Sequence, residues 1–375
     1  MKQMLTIIIV FSIFFFNHCS KKVKDSNDIP TQYIKINEQK VSNVHFTLKK
    51  RIEAPPIACP RIAVSPYQDK ILVYGLSTEK EAEASLIARM YNKNFEFISE
   101  KLFLFGQGPG DASAFNLFSF SKDKIWISGN SNHRITIYND NWNLYDIKNH
   151  RINADSFEIF ENGSLFLTAE FRWDKKWEYF SFKLCSIPGF KIKNLFEIGP
   201  FTTRKKQKGI FGEVTEYSWF YRNKEIYILD CNKYRILKFD LSGKKLKDIQ
   251  FVVDKIKTDH SQEEAYFTEN GARNLAKDFE FADTVDPTAS MIPLVKGFIV
   301  VRRHSYLTGC NGMMDGDYFT NDMVHMGKVK VPCFDSVFRI HGGRRSESFK
   351  YDNGFLYLVL GQEESDWIEK WEVHE

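Results

Sequence analysis

A short apolar strand, a polar connection and a second strand bearing aromatics recur along this chain, in units that open at Ile71, Ile125, Leu165, Ile226, Phe298 and Phe355. Short apolar runs bounded by turn residues, as in Lys70-Ile71-Leu72-Val73-Tyr74 and Lys124-Ile125-Trp126-Ile127, read as strands rather than helices. The mean spacing of the units, about 57 residues, exceeds the roughly 40 to 50 of compact propeller repeats, so some units must carry large insertions. Two stretches, Glu79 to Met90 and Glu263 to Lys277, hold alanines and charges at helix-compatible spacing and read either as short helices or as ordered loops. The composition agrees with a strand-rich body: of 375 residues, 15% are aromatic and 34 are phenylalanine, a residue that suits pleated surfaces. With 43% hydrophobic and 27% charged residues, collagen-like and highly charged disordered classes are excluded.

The clearest unit runs from Glu225 to Leu246. It reads as a strand, a tight polar turn at Asp230 to Lys233, a returning strand opening on Arg235-Ile236, and a second turn at Asp240-Leu241-Ser242-Gly243, where glycine adopts positive φ without steric cost. A degraded copy runs from Lys124-Ile125-Trp126-Ile127 through Asn132-His133-Arg134-Ile135 to Asp140-Asn141-Trp142. Two copies at matching internal offsets are hard to attribute to composition.

The amino terminus has a different character. Lys2 precedes a run from Leu5 to Phe16 whose polar members are Thr6 and Ser12, and Cys19 follows almost at once. Such a run is too short for the roughly 20 residues of a spanning helix and has the layout of a secretory signal. Phe16-Asn17-His18-Cys19 resembles the lipobox of bacterial lipoproteins, with His18 where a small residue is usual. The resemblance implies residues 1–18 as a signal peptide, Cys19 as the lipidation site, residues 19–43 as attachment and tether, and 44–375 as the folded body. It implies a membrane partner through the N-terminal lipid, in the bacterial cell envelope and at its outer membrane.

The units starting at Ile226 and Ile125 resemble those of the six-bladed β-propeller group related to NHL repeats, the TolB-like kind. Blades of that group carry a strand, an Asp/Asn-rich turn, an Arg-Ile strand and a Phe-Asp-x-x-Gly-Lys turn. Phe105-Gly106-Gln107-Gly108-Pro109-Gly110-Asp111 adds to the likeness, since exported bacterial members often carry a Gly-x-Gly-Pro-Gly stretch after an early blade. The fold expected is therefore all-β, a six-bladed β-propeller with a long insertion in the fifth unit. Val44 to Lys49 is a candidate strand to complete the last blade near Phe355 to Val373. A β-sandwich with a second small β domain is the alternative.

Few polar residues form a chemical pattern. Gly106 to Gly110 lacks the Lys-Ser/Thr of a phosphate loop and reads as a turn. A net charge of +4 gives no concentrated basic field, and the basic run Arg204 to Lys208 lacks interleaved aromatics, so no nucleic-acid partner is expected. The insertion between Val301 and Arg345 holds the residues expected to form a ligand-binding loop: Arg302, Arg303, His304, Asp315, Asp317, His325 and Arg344. Cys310 and Cys333 are a possible disulfide in an oxidising compartment. His304, Cys310, His325, Cys333 and His341 match no compact zinc spacing and Asp315-Gly316-Asp317 lacks the rest of a calcium loop, so no metal or cofactor is expected. Asp278, Glu280, Asp283 and Asp286 invite a glycosidase reading, yet Asp278-Phe279-Glu280-Phe281 reads equally as a two-faced strand. Cys185 and Cys231 read as fillers of apolar corners. The function expected is a monomeric, lipid-anchored platform that binds a protein or glycan; the alternative is an envelope hydrolase or lyase acting on a glycan or other polar polymer through the long loops of one propeller face, with the same residues from Arg302 to Arg344 as its first candidates.

Overall fold

A computed structural model describes residues 29–55, 57–77, 85–106, 108, 111–112, 116–129, 133–149, 156–174, 177–187, 189–202, 209–211, 217–253, 256–257, 279–281, 284–285, 288–302, 313–332, 349–361 and 366–375. Most strands form six sheets arranged as a six-bladed β-propeller; two further two-stranded sheets pair Gly209–Phe211 with Phe279–Phe281 in parallel and Ile256–Lys257 with Thr284–Val285 antiparallel. Blade 1 comprises Ile57–Val64, Ile71–Ser77, Ser85–Tyr91 and Phe97–Leu104; blade 2 comprises Asn116–Ser121, Lys124–Gly129, Arg134–Asn139 and Leu144–Asn149. Blade 3 follows with Ser156–Phe160, Leu165–Asp174, Trp177–Ser186 and Ile192–Thr202, and blade 4 with Tyr217–Arg222, Glu225–Asp230, Arg235–Asp240 and Lys245–Val252. Blade 5 holds Thr288–Pro293, Gly297–Arg302, Met313–Thr320 and His325–Pro332. Blade 6 takes Phe349–Asp352, Phe355–Gly361 and Asp366–His374 from the C-terminal end, and its fourth strand, His45–Glu53, from the other end of the chain. That strand pairs antiparallel with Asp366–His374, His45 opposite His374 and Glu53 opposite Trp367, as the expectation for Val44 to Lys49 required.

The six anticipated unit openings each fall in the second strand of a different blade. These strands are apolar on both faces because a blade packs against a neighbour on either side. Ile226, Ile228 and Leu237 pack toward blade 3, whereas Tyr227, Leu229 and Ile236 pack toward blade 5. An apolar cluster fills each of the six interfaces between neighbouring blades, the sixth joining Ile71 and Val73 of blade 1 to Tyr357, Val359 and Ile368 of blade 6. The ring is thus closed, which removes the exposed sheet ends of an open stack.

Two sequence expectations change in detail. Ser85–Tyr91 is a strand, so the helical reading of Glu79 to Met90 is corrected over its described part. Leu86, Ala88 and Met90 face one interface and Ile87 and Tyr91 the other, and that cross-strand packing overrides the helix preference of Ala and Met. Within the stretch 301–345, Met313–Thr320 and His325–Pro332 are the third and fourth strands of blade 5. Glu263 to Lys277 lies outside the described residues, as do the side chains of the acid-rich run from Asp278 to Asp286.

The N-terminal segment travels along the outside of the ring. Gln32–Lys35 adds a fifth strand, parallel, to the outer edge of blade 4, and Val41 bridges Lys328 on the outer edge of blade 5 before the chain becomes the outer strand of blade 6. Ile36 is buried against Tyr234 and Phe251 of blade 4. Residues 29–43, within the stretch read as tether, therefore rest on the body.

Candidate functional site

The first strand of each blade faces the propeller axis, and these six strands surround a cavity of about 330 Å³. Their sequences mix serines with aromatics, as in Asn-Leu-Phe-Ser-Phe-Ser of Asn116–Ser121 and Tyr-Ser-Trp-Phe-Tyr-Arg of Tyr217–Arg222. The serines join neighbouring inner strands. Ser119 Oγ accepts the Ile159 N–H at 2.9 Å, Ser218 Oγ accepts the Met291 N–H at 3.0 Å, and Ser156 Oγ accepts the Trp219 indole N–H at 3.0 Å. These hydroxyls thus bond N–H groups across inner strands that belong to separate sheets and share no ladder.

Two residues of this wall, Asp352 and Tyr221, bond to groups outside the lining. Lys93 of blade 1 pairs with Asp352 of blade 6 at 2.7 Å, and the Tyr221 hydroxyl of blade 4 donates to Glu161 of blade 3. Both contacts connect neighbouring blades. Burial first, and then the bond to Glu161, push the Tyr221 hydroxyl well above the ordinary tyrosine range. A third contact differs in direction: Lys350 Nζ of blade 6 lies 3.3 Å from Glu158 Oε2 of blade 3, and both residues line the cavity. Blades 3 and 6 are opposite one another in a ring of six, so this ion pair crosses the axis. Aromatic groups surround it, including Tyr67, Phe120, Phe160, Trp219 and Tyr351. Phe160 and Tyr221 stack with centroids 4.4 Å apart.

The residues anticipated from the sequence occupy another place. Arg302, Asp317 and His325 come together on blade 5, where the Arg302 guanidinium grips Asp317 through Nε at 2.6 Å and Nη2 at 3.0 Å. The Tyr234 hydroxyl of blade 4 donates to the same carboxylate at 2.7 Å, and His325 Nε2 is 3.3 Å from its other oxygen. Asp317 is wholly buried. Burial raises its pKa, but hydrogen bonds from His325, Arg302 and Tyr234 outweigh that effect and hold the carboxyl below its ordinary value. Arg302 also reaches Glu38, which is 2.7 Å from Lys328, so the cluster ties the N-terminal segment to blades 4 and 5. Asp315 stands apart, paired with Lys330 at 2.7 Å on the blade surface. Arg303, His304, Cys310, Cys333 and Arg344 lie outside the described residues, as does Cys19. Among the described residues no group of three or more His, Cys, Asp and Glu side chains is placed to hold a metal ion.

Gly106 and Gly108 form a turn around one carboxylate. Asp111 Oδ2 accepts the Gly108 N–H at 2.6 Å, and a methyl group on Gly106 or Gly108 would stand 2.3 or 2.7 Å from that oxygen. A side chain at either position would displace the Asp111 carboxylate from this turn. Cys185 and Cys231 are both buried in apolar interfaces, and desolvation pushes the Cys185 thiol up to about 12.

The axial residues were not singled out from the sequence. Their one local signal is the Ser-aromatic alternation, which a solvent-facing edge strand shares; their convergence on an axis becomes visible only with the ring closed.

Fold and cavity together define a six-bladed β-propeller with an aromatic, charged channel on its axis. The sequence matches no protein-family model and no curated protein sequence. Among solved structures, a member of the DUF4221 family from Bacteroides vulgatus is similar with a TM-score of 0.52 and 10% identity, over 88% of this chain and 99% of that one. An exported protein of Bacteroides fragilis gives a TM-score of 0.49 at 11% identity, over 92% and 98% of the two chains. Hydrazine synthase of Kuenenia stuttgartiensis gives 0.42 at 8% identity, over 81% and 74%. At 10% identity the likeness to the DUF4221 structure is one of fold.

Proposed function

We propose that this protein is an exported, lipid-anchored binding platform of the bacterial cell envelope whose ligand occupies the axial channel. The cavity carries the reading: every blade contributes to its wall, aromatic faces offer contact area, and one ion pair crosses it. Concave sites with apolar walls and a few convergent polar groups are the usual form of a small-ligand site. Export and anchoring rest on the basic start, the apolar run and Cys19, in the manner of a lipoprotein of the NHL-related propeller group. Two or three acyl chains on Cys19 would hold the protein at the membrane far more firmly than one. The polar cluster considered for a hydrolase or lyase has Asp317 enclosed and bound to Arg302, Tyr234 and His325, so the described residues do not favour that alternative.

Fractionation of cells expressing the full chain tests the placement. The wild type is expected in the membrane fraction with acyl mass on Cys19, and Cys19→Ser in the soluble extracytoplasmic fraction. A soluble wild type that retains Met1 and an unmodified Cys19 would contradict the proposal.

A further inference from the structure

The ion pair on the axis has no evident part in holding the ring together. Neighbouring blades are joined by apolar interfaces, by the serine bonds and by contacts such as Lys93–Asp352, each between adjacent blades. Lys350 and Glu158 instead reach across the cavity, and among the described residues neither makes a second ion pair. Their side chains are 31% and 33% exposed, so both charges keep much of their hydration when paired, and such pairs hold weakly. A ligand entering the channel must part them, at small cost.

What can part them without leaving a charge unpaired is a narrow class. An anion alone would take Lys350 and be repelled by Glu158. A cation alone would strand Lys350. A neutral polyol would replace a charge-to-charge contact by weaker neutral hydrogen bonds. A molecule with one carboxylate and one ammonium leaves each protein charge with an opposite partner in a half-dry site. The surrounding rings of Tyr67, Phe120, Phe160, Trp219 and Tyr351 suit an apolar body and, through their faces, an ammonium group. The volume of about 330 Å³ lies at the small end of ligand pockets, which fits one or two amino-acid units.

We propose that Lys350 and Glu158 form the recognition pair of the axial site, and that its ligand is a small zwitterion with an apolar body, the chemistry of an α-amino acid or dipeptide. The ligand carboxylate replaces Glu158 on Lys350 and its ammonium replaces Lys350 on Glu158; no covalent step is involved. This inference rests on reading the channel as the binding site.

Calorimetric titration of the full chain with aromatic and aliphatic L-amino acids and their dipeptides tests it. Each binding probe is repeated as its N-acetyl form, which is an anion, its amide, which is a cation, and its N-acetyl amide, which is neutral; glucose and a mixture of envelope oligosaccharides complete the set. The expected result is saturable binding of a zwitterion, at least tenfold weaker for each blocked form, and at least tenfold weaker in both Lys350→Met and Glu158→Gln. Two variants on partly exposed side chains guard against a fold defect in either, and unchanged thermal midpoints check it. Equal binding of a singly charged form, or wild-type affinity in both variants, overturns the zwitterion. Binding of a saccharide alone, lost when the channel wall is altered at Trp219, overturns it while leaving the channel as the site. Binding of no probe, together with an empty channel in protein purified from its own envelope, overturns both readings.

Discussion

Asp317 shows how one buried carboxylate can link three parts of the chain. Tyr234 comes from blade 4, Arg302 and His325 from the second and fourth strands of blade 5 on either side of the third, which carries Asp317, and Glu38 extends the cluster to the N-terminal segment. Removing one member leaves the others desolvated without compensation. Asp317→Asn is therefore expected to lower stability by about 3 kcal/mol, the low end for a broken buried pair because Arg302 retains Glu38. The pH dependence has a definite sign. A carboxyl held below its ordinary value stabilises the fold above that value and loses the contribution as pH falls through its folded value, so the effect is full at neutral pH and begins to shrink below about pH 4. Urea midpoints measured from pH 7 to pH 3 should draw closer together for wild type and variant at the acid end. A gap that stays constant over this range would contradict the assignment. The sequence made Arg302, Asp317 and His325 conspicuous as polar residues, and they do meet. It could not distinguish an enclosed cluster from an open loop, because the partners that enclose it, Tyr234 and Glu38, are 83 and 264 positions away from Asp317 and Arg302 respectively.

Turns between third and fourth strands repeat one design in blades 1, 2, 4 and 5. The first turn residue is Asn92, Asn139, Asp240 or Thr320, and its side-chain oxygen accepts the N–H four positions on, at 2.9, 3.0, 2.9 and 3.2 Å. The fourth position has positive φ: Phe95 at 62°, Trp142 at 60°, Gly243 at 73° and Met323 at 62°. Glycine at that position was legible in the blade 4 copy. Its replacement by Phe, Trp or Met was not, because a large side chain in the left-handed region looks unfavourable locally. All three side chains are buried, so packing offsets the backbone cost. Trp142→Ala should destabilise by about 3 to 5 kcal/mol, and Asn139→Ala by about 1 kcal/mol, in chemical unfolding. A loss below 1 kcal/mol for Trp142→Ala would show that the turn, rather than the plug, sets its stability. The second strands of the blades were readable in advance because two interfaces make them apolar on both faces. The inner strands were not, since their polar face meets a cavity instead of solvent and local periodicity is the same for both.

The ring as a whole is closed by residues from both ends of the described chain. His45–Glu53 completes blade 6, so closure depends on contacts that span over 300 positions, while Gln32–Lys35 covers the edge of blade 4. Six interfaces of similar kind predict one cooperative transition. Ile368→Ala, at a fully buried position between blades 6 and 1, should cost about 2 to 5 kcal/mol and move tryptophan fluorescence and far-ultraviolet circular dichroism together. Separate transitions by the two probes would mean that blade 6 opens on its own. The same closed ring produces the axial cavity and brings Lys350 opposite Glu158. Its occupancy is the central claim about function, and the most direct measurement is a high-resolution structure of the protein purified from its own envelope. The account predicts a small molecule on the axis, with Lys350 and Glu158 parted and each bonded to it. An intact Lys350–Glu158 contact in a water-filled channel, with the retained ligand bound on the outer edges of the blades, would contradict it.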